Sequence, residues 1–179
     1  MAILNIRQLG DEALKKVCKP VKEITPRVLE LIDDMFDTMY EAGGVGLAAP
    51  QVGILKRIVV IDCTPDPEEG EEIPEEDIQC YAMINPVIVE ADGEQTGWEG
   101  CLSYAGMSGV VKRPDRVVVR FTDPEGQEQT VEGRGLLARA FCHELDHLEG
   151  IMYTEKVEGE VLSNEEIRKM EEEQSGEEA

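Results

Sequence analysis

The only two histidines in this chain of 179 residues stand four apart, in His143-Glu144-Leu145-Asp146-His147. On an α-helix a four-residue step turns about 400°, leaving the side chains only ~40° apart round the axis and ~6 Å apart along it. Both imidazoles then project from one face and can ligate the same ion. Glu144 sits beside the first of them, where its carboxylate can reach a water in an open coordination position without itself binding the ion. This is the division of labour in HExxH metalloenzymes, in which two imidazoles hold the metal and the carboxylate moves protons. The competing reading is ordinary packing, the usual fate of a histidine on an apolar face. Both histidines falling within one turn, after Leu136, Leu137, Ala138, Ala140 and Phe141, favours the metal.

A catalytic site of this kind needs a third protein ligand and one open position. Downstream of His147 there is no histidine, only a run of glutamates that makes a weak case for a ligating helix. Upstream lies Glu99-Gly100-Cys101-Leu102-Ser103, with Cys101 between an expected strand and a glycine-containing turn. A Cys, His, His set with water as the fourth ligand is chemically sound.

The rest of the chain frames that site. Its length suits one domain, at roughly 150 residues each. No segment approaches the ~20 apolar residues needed to span a bilayer. The N-terminus shows no basic region followed by an apolar run, so a cytoplasmic protein is expected. Five widely spaced cysteines form no CxxC pair, which argues against a disulfide framework. The formal charge of −22 disfavours direct nucleic-acid binding, whose affinity comes from lysine and arginine. Much of the acidity is local, between Glu68 and Asp77 and between Glu155 and Glu178, and reads as solvated surface.

Thr25-Pro26 opens a helix that Gly43 ends, with Val28, Leu31, Ile32, Met35, Phe36 and Met39 on one apolar face. Gly44 to Gly53 reads as an irregular loop, Arg57 to Cys63 as a buried strand and Thr64 to Gln79 as an exposed acidic loop. Strands follow over Tyr81 to Ala91, Gln95 to Trp98, Arg116 to Thr122 and Gln127 to Glu132. The histidine helix should start near Gly135, run to Leu148 and end at Gly150. A weaker helix spans Asn164 to Glu173, and the closing QSGEEA reads as a disordered tail. Strands precede the histidine helix rather than alternating with helices. The fold class expected is therefore α+β, with antiparallel or mixed sheets around a central metal-binding helix. Residues 1–160 would form one catalytic domain and 161–179 an acidic helical or disordered tail.

Three separated motifs now carry a resemblance: Gly44-Val45-Gly46-Leu47-Ala48-Ala49-Pro50-Gln51, then Glu99-Gly100-Cys101-Leu102-Ser103, then His143-Glu144-Leu145-Asp146-His147. In order and spacing the chain resembles the peptide deformylases over roughly residues 3 to 160. The resemblance implies hydrolytic removal of the formyl group from the N-terminal formylmethionine of nascent polypeptides, with transient proximity to the ribosome. It implies Cys101, His143 and His147 as ligands of one divalent ion. Fe2+ is the family's usual metal, with Zn2+, Ni2+ or Co2+ as substitutes. It gives Gln51 and the Leu102 N–H the task of donating to the formyl oxygen, and Glu144 that of accepting and returning the proton. Val45, Gly46 and Gly100 become substrate-binding positions, with Val45 and Gly100 offering backbone hydrogen bonds to an extended peptide. Leu136 and Ala140, seven and three residues before His143, are candidates for a methionine pocket or for plain core.

The chain departs from the family where Cys142 replaces a common glutamine, and where Tyr104-Ala105-Gly106 replaces an aliphatic-proline-glycine run. Its acidic C-terminal stretch also lacks the basic helix with which some members dock on the ribosome. Two other functions remain open at this point. A zinc endopeptidase would need an acidic third ligand downstream and a dispensable Cys101. A non-catalytic metal module would need four protein ligands.

Overall fold

The computed structural model describes residues 2–177. Its elements are α1 (Pro26–Glu41), β1 (Gly46–Ala48), β2 (Ile58–Asp62), β3 (Cys80–Asp92), β4 (Gln95–Cys101), β5 (Tyr104–Arg113), β6 (Arg116–Thr122), β7 (Glu128–Arg134), α2 (Leu136–Leu148), β8 (Val157–Ser163) and α3 (Asn164–Glu177). The strands form a five-stranded sheet in the order β1-β2-β3-β6-β7 and a three-stranded sheet in the order β4-β5-β8. Every ladder within them is antiparallel. The α+β expectation holds.

The run Ile58-Val59-Val60-Ile61 is apolar on both faces because helices cover both sides of β2. Val59 and Ile61 join Met83, Val117, Val119 and Phe121 in a core closed by Leu137, Phe141, Leu145 and Leu148 of α2. Ile58 and Val60 turn the other way, with Leu47 and Ile84, onto Val28, Ile32, Met35 and Met39 of α1. Burying each such side chain contributes roughly 1.5–3 kcal/mol, so the two cores fix both helices against one strand.

Local signals set the boundaries. The Thr25 hydroxyl accepts from the Val28 N–H and caps α1, Pro26 occupies its first turn, and Gly43 follows with φ +71°. The acidic loop after β2 is pinned at its base, where the Cys63 N–H donates to Gln79 O and the Gln79 N–H to Thr64 Oγ1.

The structure corrects the sequence reading in four places. Gly44 to Gly53 is not wholly irregular, since Gly46–Ala48 pairs with β2 and Ala49–Val52 is a 3-10 turn. Strand β5 was not anticipated, because Gly106 and Gly109 interrupt its pattern; its pairing with β4 makes Cys101 the last residue of a strand. Strand β8 was missed among acidic residues and crosses position 160. Gln174–Glu177 belong to α3 rather than to a disordered tail, while residues 178 and 179 lie outside those described. All five cysteines are free.

Candidate metal and catalytic site

Helix α2 and the end of β4 bring the motif residues together. The His143 and His147 rings meet edge-on with Nε2 atoms 3.3 Å apart, and Cys101 Sγ lies 3.4 Å from His147 Nε2. All three donor atoms fall within 4.8 Å of one another, and they form the one such cluster of three or more among the described residues. Around a tetrahedral ion with ~2.0–2.1 Å bonds to nitrogen and ~2.3 Å to sulfur, neighbouring ligand atoms stand roughly 3.3–3.6 Å apart. The two short separations match those edges, and the softness of thiolate and imidazole suits a late divalent transition metal. The donor set therefore fits a single such ion.

Glu144 lies alongside. It is buried, and its Oε2 makes no hydrogen bond to the protein. Desolvation pushes its carboxyl up to about 7, against the pull of His143 and with the help of Glu99. A carboxylate whose affinity for a proton sits near neutrality, with one oxygen unspent, is equipped to take and return one. Gly46 faces it so closely that a Cβ there would lie 2.6 Å from Glu144 Oε1, and a Cβ on Gly44 would meet Leu102 Cδ1 at 2.6 Å. The first motif thus brings bare backbone against helix α2 and the loop after β4.

Gln51 is locked. Ala48 N–H donates to its Oε1, which aims Nε2 at Ser103 Oγ, 3.1 Å away, and at Cys101 Sγ, 3.5 Å away. The Ser103 N–H also points at Cys101 Sγ, at 3.4 Å. Leu102 carries its carbonyl toward Gln8 Nε2, and its own N–H has no protein partner among the described residues.

Glu99 escaped the reading of single residues. It is buried, and its Oε1 takes His143 Nδ1 at 2.6 Å. Arg113 forms a two-point pair with it, and Arg139 Nη1 reaches Oε2 at 2.8 Å. Arg113 continues to Asp146, which also meets Lys156. Burial works against ionisation, yet His143 and Arg113 outweigh it and bring the Glu99 carboxyl down to about 2. A carboxylate on Nδ1 fixes the tautomer that leaves Nε2 free for a metal. His147 has no such partner on Nδ1, and burial holds it well below the ordinary histidine range.

A cavity of about 540 Å³ opens beside these groups, and Val45, Gly46, Gly100, Leu136 and Ala140 all line it. Leu136 is exposed to it, which removes plain core packing as its role, whereas Ala140 is buried. One expectation narrows. The Val45 carbonyl is already bonded to the Asp62 N–H at 2.8 Å, so Val45 has its N–H rather than both backbone groups to offer. Trp98 and Arg139 line the cavity as well and were not anticipated. The spacing does contain a signal for Arg139, which stands one helical turn before His143.

Two helix-borne imidazoles, a strand-borne thiol and an unpartnered carboxylate define the type of site seen in HExxH metal-dependent hydrolases. Residues 3–163 match the family model described as polypeptide deformylase. The peptide deformylase of Lachnoclostridium phytofermentans is 57% identical over 161 residues, covering 90% of this chain and 93% of that one. That of Agathobacter rectalis is also 57% identical, over 89% and 92% of the two chains. Among solved structures, a peptide deformylase from Legionella pneumophila superposes with a TM-score of 0.79 at 40% identity, covering 88% of this chain and 87% of that one. One from Synechococcus elongatus in complex with actinonin gives 0.77 at 39% identity, over 87% and 81%. The chain belongs to the polypeptide deformylase family. Its reaction is a hydrolysis.

Proposed function

We propose that this site hydrolyses the formamide bond of N-terminal formylmethionine on nascent polypeptides, releasing formate and a free amine. The carrying observation is the cluster of Cys101, His143 and His147 ligand atoms within 4.8 Å of one another, with the unpartnered Glu144 Oε2 beside it. The endopeptidase alternative requires an acidic ligand downstream, and the ligand cluster among the described residues contains none. A closed four-ligand module is disfavoured on the same ground.

Cys101, His143 and His147 would hold one divalent ion, with Fe2+ proposed in the cell and Zn2+, Ni2+ or Co2+ as substitutes. When bound, such an ion supplies Lewis-acid chemistry, polarising a carbonyl oxygen and acidifying water. The remaining work falls to the chain. Glu144 accepts the proton of the attacking water and later delivers it to the departing nitrogen. Gln51 Nε2 and the Leu102 N–H donate to the formyl oxygen as it gains negative charge, a stabilisation of several kcal/mol when donors are pre-aimed. Val45 N–H and the Gly100 backbone align the peptide as an added strand, a mode that tolerates many side chains. Leu136 and Ala140 flank the methionine side chain.

No helix of the described residues is long and apolar enough to cross a membrane. We place the reaction in the cytoplasm, near emerging nascent chains, without nucleic-acid contact by the acidic α3. The test is formate release from a formyl-Met peptide by protein purified without oxygen, against Cys101→Ser. Formate from the parent and none from the variant is expected. Cleavage of internal peptide bonds without formate would overturn the reading.

A further inference from the structure

Arg139 has hydrogen-bonding capacity that the site described above does not use. It lies on the face of α2 shared by Leu136, Ala140 and His143, three residues after Leu136 and four before His143. Both of its hydrogen bonds leave from Nη1, to Glu99 Oε2 at 2.8 Å and to Val111 O at 3.1 Å. Nε and Nη2 make none. Neither is sealed in protein, since the buried side-chain atoms without partners are Glu144 Oε2 and His147 Nδ1 among the described residues. The side chain keeps about a tenth of its surface, and Arg139 lines the cavity. Nη2 lies beside Gly97 of β4, where a Cβ would make ordinary contact at 3.4 Å. Trp98, Leu136 and Ala140 contribute apolar side chains to the lining of the same cavity. The cavity thus combines apolar side chains with a clamped cation in its wall. Glu99 and Val111 hold the guanidinium, so it reaches the pocket already oriented.

We propose that Arg139 determines specificity by donating an N–H to an acceptor near the tip of the first side chain. Methionine carries a weak acceptor there, its thioether sulfur, while norleucine has a methylene of nearly the same shape. An apolar slot without a donor would favour norleucine, the more hydrophobic of the two. A slot with a spare guanidinium N–H reverses that order. Methionine sulfoxide, with a strong oxygen acceptor, should also be admitted, because hydrogen bonds from a charged donor are the strong ones. This inference rests on the deformylase reading and deepens it, adding a chemical criterion to size.

The test compares formate release from formyl-Met, formyl-norleucine and formyl-Met-sulfoxide peptides of otherwise identical sequence. Ratios of kcat/KM within one protein cancel any general damage to the site. For the parent, methionine should exceed norleucine roughly three- to tenfold, the range of a modest hydrogen bond. In Arg139→Leu the ratio should fall to one or below, and the sulfoxide should lose more than tenfold relative to methionine. Arg139→Lys keeps a donor and should fall between; it also serves if the leucine variant does not fold. Norleucine equal to methionine in the parent, or an unchanged ratio in either active variant, overturns the proposal. No formate from any formyl peptide overturns the deformylase reading itself.

Discussion

His143 Nδ1 lies 2.6 Å from Glu99 Oε1, and that carboxylate is in turn held by Arg113 and Arg139. The imidazole is therefore oriented from behind by a group that is itself fixed by two cations. Replacing Glu99 with Gln keeps the shape but removes the charge, leaving two buried guanidinium groups facing a neutral amide. Outward-facing partners of this kind typically change metal affinity 10- to 100-fold. Glu99→Gln should lose metal during dialysis against a chelator at concentrations the parent withstands, measured as metal per chain. Retention equal to the parent would refute this role.

Glu144→Gln separates proton transfer from metal binding. The amide can occupy the same space against Gly46, but it cannot accept a proton near neutral pH. A loss of general acid–base catalysis costs about 10²- to 10⁴-fold in rate. The variant should show that loss in kcat for formate release while its metal content stays at the parental level. Parental kcat would remove Glu144 from the mechanism.

How much of this was legible beforehand differs from element to element. Helix α2 and strand β6 announce themselves because their patterns are local: apolar steps of three and four, and the compact run Arg116 to Thr122. Cys101, His143 and His147 stand out because few residue types bind metals and the two histidines share a turn. The Glu99 network does not. Its partners lie 14, 40 and 44 residues away, and nothing near Glu99 distinguishes a buried ion pair from an exposed acid. Strand β5 was hidden for another reason, since Gly106 takes a positive φ of +74° and Gly109 makes room for another element. At Gly109, a Cβ would meet Val157 Cγ2 at 2.5 Å. Such residues follow from tertiary packing and carry no signal in local periodicity.

The ion-dipole pair behind the cavity-lining Val45 has its own pH dependence. Tyr40 Oη donates to Asp62 Oδ2 at 2.6 Å, and the Asp62 N–H holds the Val45 carbonyl. Burial would raise the Asp62 carboxyl, but hydrogen bonds from Tyr40 and Thr64 outweigh it and hold the carboxyl below its ordinary 3.8. A carboxylate depressed by folding stabilises the protein above the unfolded value and loses that contribution as pH falls through the folded one. Tyr40 is half exposed, so the bond belongs at the lower end, about 1 kcal/mol. Tyr40→Phe should be less stable than the parent by that amount at pH 7, by urea unfolding. The gap should close as pH drops below 3.8. A gap that is constant from pH 7 to 3 would count against the assignment.

Two glycines make opposite demands, and alanine at each should part activity from stability. A Cβ at Gly46 would lie 2.6 Å from Glu144 Oε1 and 2.9 Å from its Cδ and Cγ. Only a side chain stands in the way, so the fold can yield by turning the carboxylate out of place. Gly150 offers no such escape: φ is +74°, and its Cβ would lie 2.5 Å from the backbone oxygen of Lys15. There the strained dihedral and the backbone clash add, at about 3 kcal/mol together. Gly46→Ala should thus lose roughly 100-fold in kcat, within the range for a displaced proton carrier, with little change in Tm. Gly150→Ala should unfold several degrees lower yet keep parental kcat per folded molecule, because Lys15 and Gly150 lie outside the cavity lining. Thermal unfolding and formate kinetics on the same preparations decide both cases. A stable, fully active Gly46→Ala would mean that Glu144 does not need the position it holds.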